Sequence, residues 1–153
     1  MSSRLEPLLN GSFPPGRYRL TGPVSLREAY DGIGAAGWSA GVIHGREIDG
    51  RTDMFEQFAT ALNFPDWFGG NWDAFVDCLR DLSWLPGDGV AVLWQHYAMF
   101  AAALPELAER VDEILDDVIV QRAEIEVPPL FVLYPGPRDG ASGSGAWQLH
   151  PVS

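Results

Sequence analysis

Apolar residues along this chain recur with two periods, and the switches between them mark out its elements. Tyr18 and Leu20 alternate with polar neighbours, which predicts a short strand over Arg17–Leu20. Ser25 stands where a helix N-cap belongs. Leu26, Ala29, Tyr30 and Ile33 follow at helical spacing, and Gly34 and Gly37 end that helix. Trp38–His44, centred on Gly41-Val42-Ile43, predicts a second strand. Asp53 and Glu56 have the spacing of a capping box, and Phe55, Phe58, Ala61 and Leu62 predict an amphipathic helix over Asp53–Asn63. Phe64-Pro65 stops it. Gly69-Gly70 marks a loop, and Asn71 caps a helix that carries Trp72, Phe75, Val76, Leu79 and Leu82 toward a core. After a turn at 86–89, Val90–Leu93 is apolar without interruption, as in a strand buried on both faces. A short helix is predicted within Tyr97–Ala103. Pro105 then opens a longer one, striped by Leu107, Val111, Ile114, Leu115 and Val118. Leu130–Tyr134 is the last strand predicted. Residues 1–16 read as a loose lead-in. The Gly, Ser and Pro content of 137–153 predicts a flexible tail, with Trp147 and Leu149 as its docking residues.

Strands separated by helices argue for a single α/β domain over 1–153. Its core, 38–136, would be a three-stranded parallel sheet packed with helices. The strand–helix unit at 17–37 would extend that sheet by a fourth, edge strand.

Charge narrows the function. Twenty-one acidic residues face ten basic ones, for a net charge of −11 over 153 residues, and every basic residue is arginine. Such a chain repels phosphate backbones, which disfavours nucleic-acid binding, and it attracts a basic partner. Cys78 is the single cysteine, so no internal disulfide forms and a reducing compartment is expected. The first residues carry no apolar run of signal-peptide length, and no stretch is long enough to span a bilayer. A cytoplasmic protein without membrane contact is therefore expected.

The chemistry concentrates at 64–82, FPDWFGGNWDAFVDCLRDL. Asp73, Asp77 and Asp81 fall at i, i+4 and i+8, a carboxylate ladder on one helix face. Like charges at that spacing cost about 0.2–0.5 kcal/mol per pair. Only Asp73 lies near enough to the N-terminus to gain from the helix dipole. Trp67 and Phe68 lie beside two glycines, the arrangement of an aromatic interface anchor that another backbone can approach. The plainer alternative is a solvated helix face with both aromatics in the core.

Catalytic readings fit less well. Cys78 with His44 or His96 would make a thiol nucleophile, but Cys78 sits mid-helix beside Leu79, where it packs. Asp73 and Asp77 lie on one element, whereas glycosidase carboxylates straddle a cleft. A straight helix offers calcium too few oxygens, and His44, His96 and His150 lack zinc spacing. No enzyme activity, cofactor or metal is expected.

The run Pro65–Leu79 resembles the signature of the barstar family, inhibitors of barnase-type ribonucleases: two aromatics, Gly, any residue, Asn, any residue, Asp-Ala, then Asp-Cys-Leu. Element order extends the resemblance, more weakly, from about Trp38 to Tyr134. The resemblance implies a barstar-like fold and an inhibitor whose loop and second helix plug a nuclease active site. Asp77 would replace a substrate phosphate, Asp73 would meet a neighbouring basic group, and Trp67 would stack on the catalytic histidine. Phe68, Gly69, Asn71, Ala74 and Val76 would complete the contact. An acid from the later helix would join them, Asp117 first, with Asp116 or Glu113 as alternatives. The implied partner is a basic ribonuclease of the type made for export. Two positions depart from the pattern: Val76 stands where barstar has tryptophan, and Gly70 replaces an acid. A second reading keeps the scaffold but gives it a basic partner that is not a nuclease.

Overall fold

The structure, a computed structural model, describes residues 11–22, 25–136 and 148–152. Five strands are seen there: β1 (Arg17–Thr21), β2 (Ser39–His44), β3 (Val90–Gln95), β4 (Leu130–Pro135) and β5 (Gln148–Pro151). The helices are α1 (Leu26–Ala35), α2 (Arg51–Ala61), α3 (Trp72–Asp81), α4 (Tyr97–Ala103) and α5 (Pro105–Ala123). They form one sheet in the order β2-β3-β4-β1-β5. Its first four strands are parallel, and β5 runs antiparallel to β1.

The fold is therefore α/β, as expected, but the sheet is mixed and wider than predicted. β1 is not an edge strand: it lies between β4 and β5. β5 occupies part of the region predicted to be a flexible tail. It pairs with β1, and Leu149 packs against the core cluster that holds Tyr18, Leu20, Ala29 and Ile33. Trp147, the other expected docking residue, lies outside the described residues.

Both faces of the sheet are covered, which explains the unbroken apolar runs in β3 and β4. Ala91, Leu93, Phe131 and Leu133 point one way, under Ala29 and Ile33 of α1. Val90, Val92, Trp94, Leu130 and Val132 point the other way, into the larger core built with α2, α3, α4 and α5. Ser25 caps α1 with a complete capping box: its hydroxyl accepts from the Glu28 N–H, and the Glu28 carboxylate accepts from the Ser25 N–H. In α2 the predicted box does not form. Gly50 is the N-cap, the helix begins at Arg51, and the Asp53 carboxylate accepts from the Asp49 N–H instead. α2 lies so close to β2 that a Cβ on Gly41 would come within 2.6 Å of the Ala61 carbonyl oxygen.

Candidate docking face on the acidic helix

The site is built on α3, and local sequence sets that helix in place. The Asn71 side chain accepts from the Ala74 N–H at 2.8 Å, an N-cap worth about 1 kcal/mol. Gly70 before it has φ +72°, a conformation that favours glycine. Phe75, Cys78 and Leu79 are wholly buried; for a Phe or Leu this contributes about 1.5–3 kcal/mol each. Phe55 gathers Phe68, Trp72 and Phe75 around itself, with ring centroids at 5.8, 5.1 and 5.2 Å.

The opposite face of α3 carries Asp73, Asp77 and Asp81, all exposed. Asp73 and Asp77 make no ion pair or hydrogen bond with any other described residue. Asp81 differs: its carboxylate accepts from the Ser83 N–H at 3.2 Å and helps close the helix end. The three-step ladder is thus two open carboxylates and one engaged in a turn. Arg80 does not relieve them. Its Nε donates to Gln121 Oε1 at 2.6 Å, on the side toward α5.

The loop presents Trp67, 56% exposed, and turns Phe68 inward. The Phe68 N–H donates to the Pro65 carbonyl, and its ring meets Phe55 and Phe64, so Phe68 anchors the loop. Gly69 is exposed, while Ala74 and Val76 are half-buried at the foot of the acidic face.

α5 flanks this face. The Arg110 guanidinium lies 4.7 Å from the Trp72 ring centroid, and Gln121 meets Arg80. Asp117 is exposed on the same side of α5, seven residues after Arg110 and four before Gln121. Asp116 is elsewhere: it accepts two bonds from Arg17, at 2.7 and 3.0 Å, on the β1 side. Glu113 is exposed.

Arg122 is the site residue that the sequence did not reveal. It is 1% exposed, the one buried charged side chain among the described residues. One guanidinium nitrogen donates to the carbonyls of Leu79, Arg80 and Asp81, at 3.4, 2.8 and 3.0 Å, and another to Pro128 at 2.6 Å. A cation therefore closes the C-terminal end of the acidic helix, where orphan carbonyls and the helix dipole both favour one. Burial lowers its pKa from the ordinary arginine value, and Asp81 opposes that shift. The available signal was position: Arg122 takes the next step of the apolar stripe Val111, Leu115, Val118.

Nucleophilic chemistry at Cys78 is disfavoured. The thiol is buried, and burial, with Asp77 and Asp81 adding, pushes its pKa up to about 11. Among the described residues no three His, Cys, Asp or Glu side chains converge as a metal site, and no helix is long and apolar enough to cross a membrane.

These features define an α/β protein with an open acidic helix face and an exposed indole on the loop before that helix. A family model described as Barstar (barnase inhibitor) matches residues 38–134, well over half of the chain, and the chain belongs to the barstar family. No curated protein matches it. β1, α1 and β5 lie outside the matched span.

Proposed function

We propose that this protein is a stoichiometric inhibitor of a small, basic, barnase-like ribonuclease, acting in the cytoplasm of the cell that makes the nuclease. One observation carries the reading. Asp73 and Asp77 stand exposed and unpaired on a helix fastened at one end by Asn71 and at the other by Arg122, and Trp67 is exposed on the loop that leads into that helix. Open carboxylates in a fixed row can take the places of RNA phosphates before the nuclease's arginine, lysine and histidine. Asp77 is the principal phosphate mimic, Asp73 meets a basic group beside it, and Asp117 adds a charge from α5. Trp67 covers the catalytic histidine. Gly69, Asn71, Ala74 and Val76 line the contact, and Phe68 holds the loop beneath it. The net charge of −11 steers a basic enzyme toward this face. Nothing is turned over; the inhibitor acts by occupancy.

Titrating a small basic ribonuclease with the protein tests this reading. Activity should fall linearly to an end point near one inhibitor per enzyme. Asp77→Ala should raise the inhibition constant far more than Glu106→Ala, a change at an exposed acid of α5. Equal effects would remove the support for the α3 site.

One observation favours a second reading. Half-buried Val76 stands where barstar has tryptophan, which flattens the face and suits a basic partner of different contour. Capture of a protein without nuclease activity, lost on Asp77→Ala, would select that alternative.

A further inference from the structure

Trp67 has to be presented as well as exposed. It sits between Asp66 and Gly69 on a loop whose own anchors belong to its neighbour: the Phe68 N–H bond to Pro65 and the Phe68 ring among Phe55 and Phe64. Among the described residues one ring alone touches the Trp67 indole, that of Trp84, edge to face with centroids 6.4 Å apart and planes at 87°.

Trp84 is itself held from several directions. Its Nε1–H donates to the Leu62 carbonyl at 2.8 Å, and its ring meets Phe64 at 6.3 Å and 85°. Its backbone follows the end of α3, where Leu82 turns at φ +48° and accepts from the Leu85 N–H. The chain thus enters α3 just after Trp67 and leaves it just before Trp84, and the two indoles meet. A half-buried ring hydrogen-bonded to the main chain is a fixed wall; an indole resting on that wall loses rotamers before any partner arrives. Preorganisation of this kind lowers the entropic cost of docking without adding a contact to the partner.

We propose that Trp84 is a positioning residue: it holds the Trp67 indole in its outward-facing orientation, and it contributes to binding through Trp67. The binding half of this statement rests on the docking function proposed above; the ordering of the indole does not.

The test uses the full chain with 15N-labelled indoles, the Trp67 signal being assigned by its loss in Trp67→Phe. In the wild type the heteronuclear NOE of the Trp67 indole N–H should match that of the α3 backbone. In Trp84→Ala it should drop to the level of a mobile surface side chain. Trp84→Phe keeps a ring against Phe64 but loses the Leu62 anchor and reaches less far toward Trp67; it should give an intermediate value, and it decides the matter if the alanine variant does not fold. Against a nuclease that the wild type inhibits, Trp67→Ala and Trp84→Ala should each weaken binding by about 10-fold, roughly 1.4 kcal/mol, mainly through faster dissociation. The double variant should be no weaker than Trp67→Ala. An indole equally ordered with and without Trp84, or losses that multiply in the double variant, would overturn the assignment. If no nuclease is inhibited, the functional reading falls and the NOE comparison alone decides the role of Trp84.

Discussion

Two acidic regions of this molecule use the same side chain in opposite ways. On α3, Asp73 and Asp77 face solvent with no internal partner among the described residues. On the β1 side of α5, Asp116 forms a bidentate pair with Arg17, and Asp112 lies 3.6 Å from the same guanidinium while accepting from the Tyr97 hydroxyl. Burial works to lower the Arg17 pKa, but the Asp116 bond, Tyr134 and Asp112 carry it above its ordinary value. Acids paired with an arginine fasten an element, here β1 to α5. Unpaired acids on a rigid helix leave their interaction energy for something outside the chain. The proposed function thus implies a division of labour: α3 for binding, the Arg17 cluster for stability.

The largest expected effect breaks or upholds that division directly. Asp77→Ala should weaken nuclease inhibition by about 30-fold to about 5000-fold, since truncating one partner of a desolvated charge pair costs about 2–5 kcal/mol. Its unfolding free energy in urea should change by no more than the ~0.5 kcal/mol typical of a surface change. Asp112→Ala should do the reverse. It leaves the Tyr97 hydroxyl without its acceptor and costs about 1–3 kcal/mol of stability with inhibition intact. Loss of inhibition and of stability together in both variants would dissolve the distinction.

Arg122 joins the two themes, because a buried group holds the end of the helix proposed to bind. Arg122→Met should cost about 2–3 kcal/mol, through carbonyls of Leu79, Arg80, Asp81 and Pro128 left without their donor. Amide hydrogen exchange should quicken at the last turn of α3 before it does in the sheet. A variant that keeps wild-type exchange there would show that α3 does not depend on the clamp.

How much of this was legible in the sequence depended on how far apart the interacting residues lie. Asn71 capping Ala74, the apolar face of α3 and the aromatic–glycine loop all act within a few residues, so spacing alone exposed them. The role of Asp81 was hidden because its partner is the main-chain N–H of Ser83, which no side-chain pattern announces. Asp116 and Asp117 are adjacent in sequence, and their separation by role depends on Arg17, 99 residues away from Asp116. Arg122 reads as a break in an apolar stripe until α3, some 40 residues earlier, supplies three carbonyls. β5 is four residues long and acquires its partner, β1, from the far end of the chain. In α2 the capping-box spacing was present, but Gly50 took the cap and Asp53 bonded back to Asp49.

Salt sharpens the comparison at a lower magnitude. Exposed charges are screened over about 8–10 Å near physiological ionic strength, and buried pairs much less. Raising ionic strength about tenfold should slow association with a basic nuclease by about 10-fold or more, with a smaller change in dissociation. The urea midpoint, to which the pair between the mostly covered Arg17 side chain and the exposed Asp116 contributes only in part, should shift less. Stopped-flow association rates and melts across one salt series would read both, and a rate indifferent to salt would contradict steering by α3.

The smallest effect is a pH slope, and its sign is informative. Burial raises the Asp112 pKa above its ordinary value, and the Tyr97 hydrogen bond and Arg17 only partly offset this. The folded chain therefore holds this proton to higher pH than the unfolded chain does. Below the unfolded pKa, near 4, the group imposes no penalty. As pH rises through the interval up to the folded pKa, the unfolded state gives up the proton first and stability falls; above that interval the penalty is complete. Most paired aspartates give the opposite slope. Asp112→Asn keeps an acceptor for Tyr97 and removes the titration, so wild-type stability minus that of the variant should decline from about pH 4 toward neutrality. A difference that rises over the same range would mean that Arg17 and Tyr97 outweigh burial. Asp112 would then be an ordinary ion-pair partner, and the Arg17 cluster would gain from the charge that it now holds at a cost.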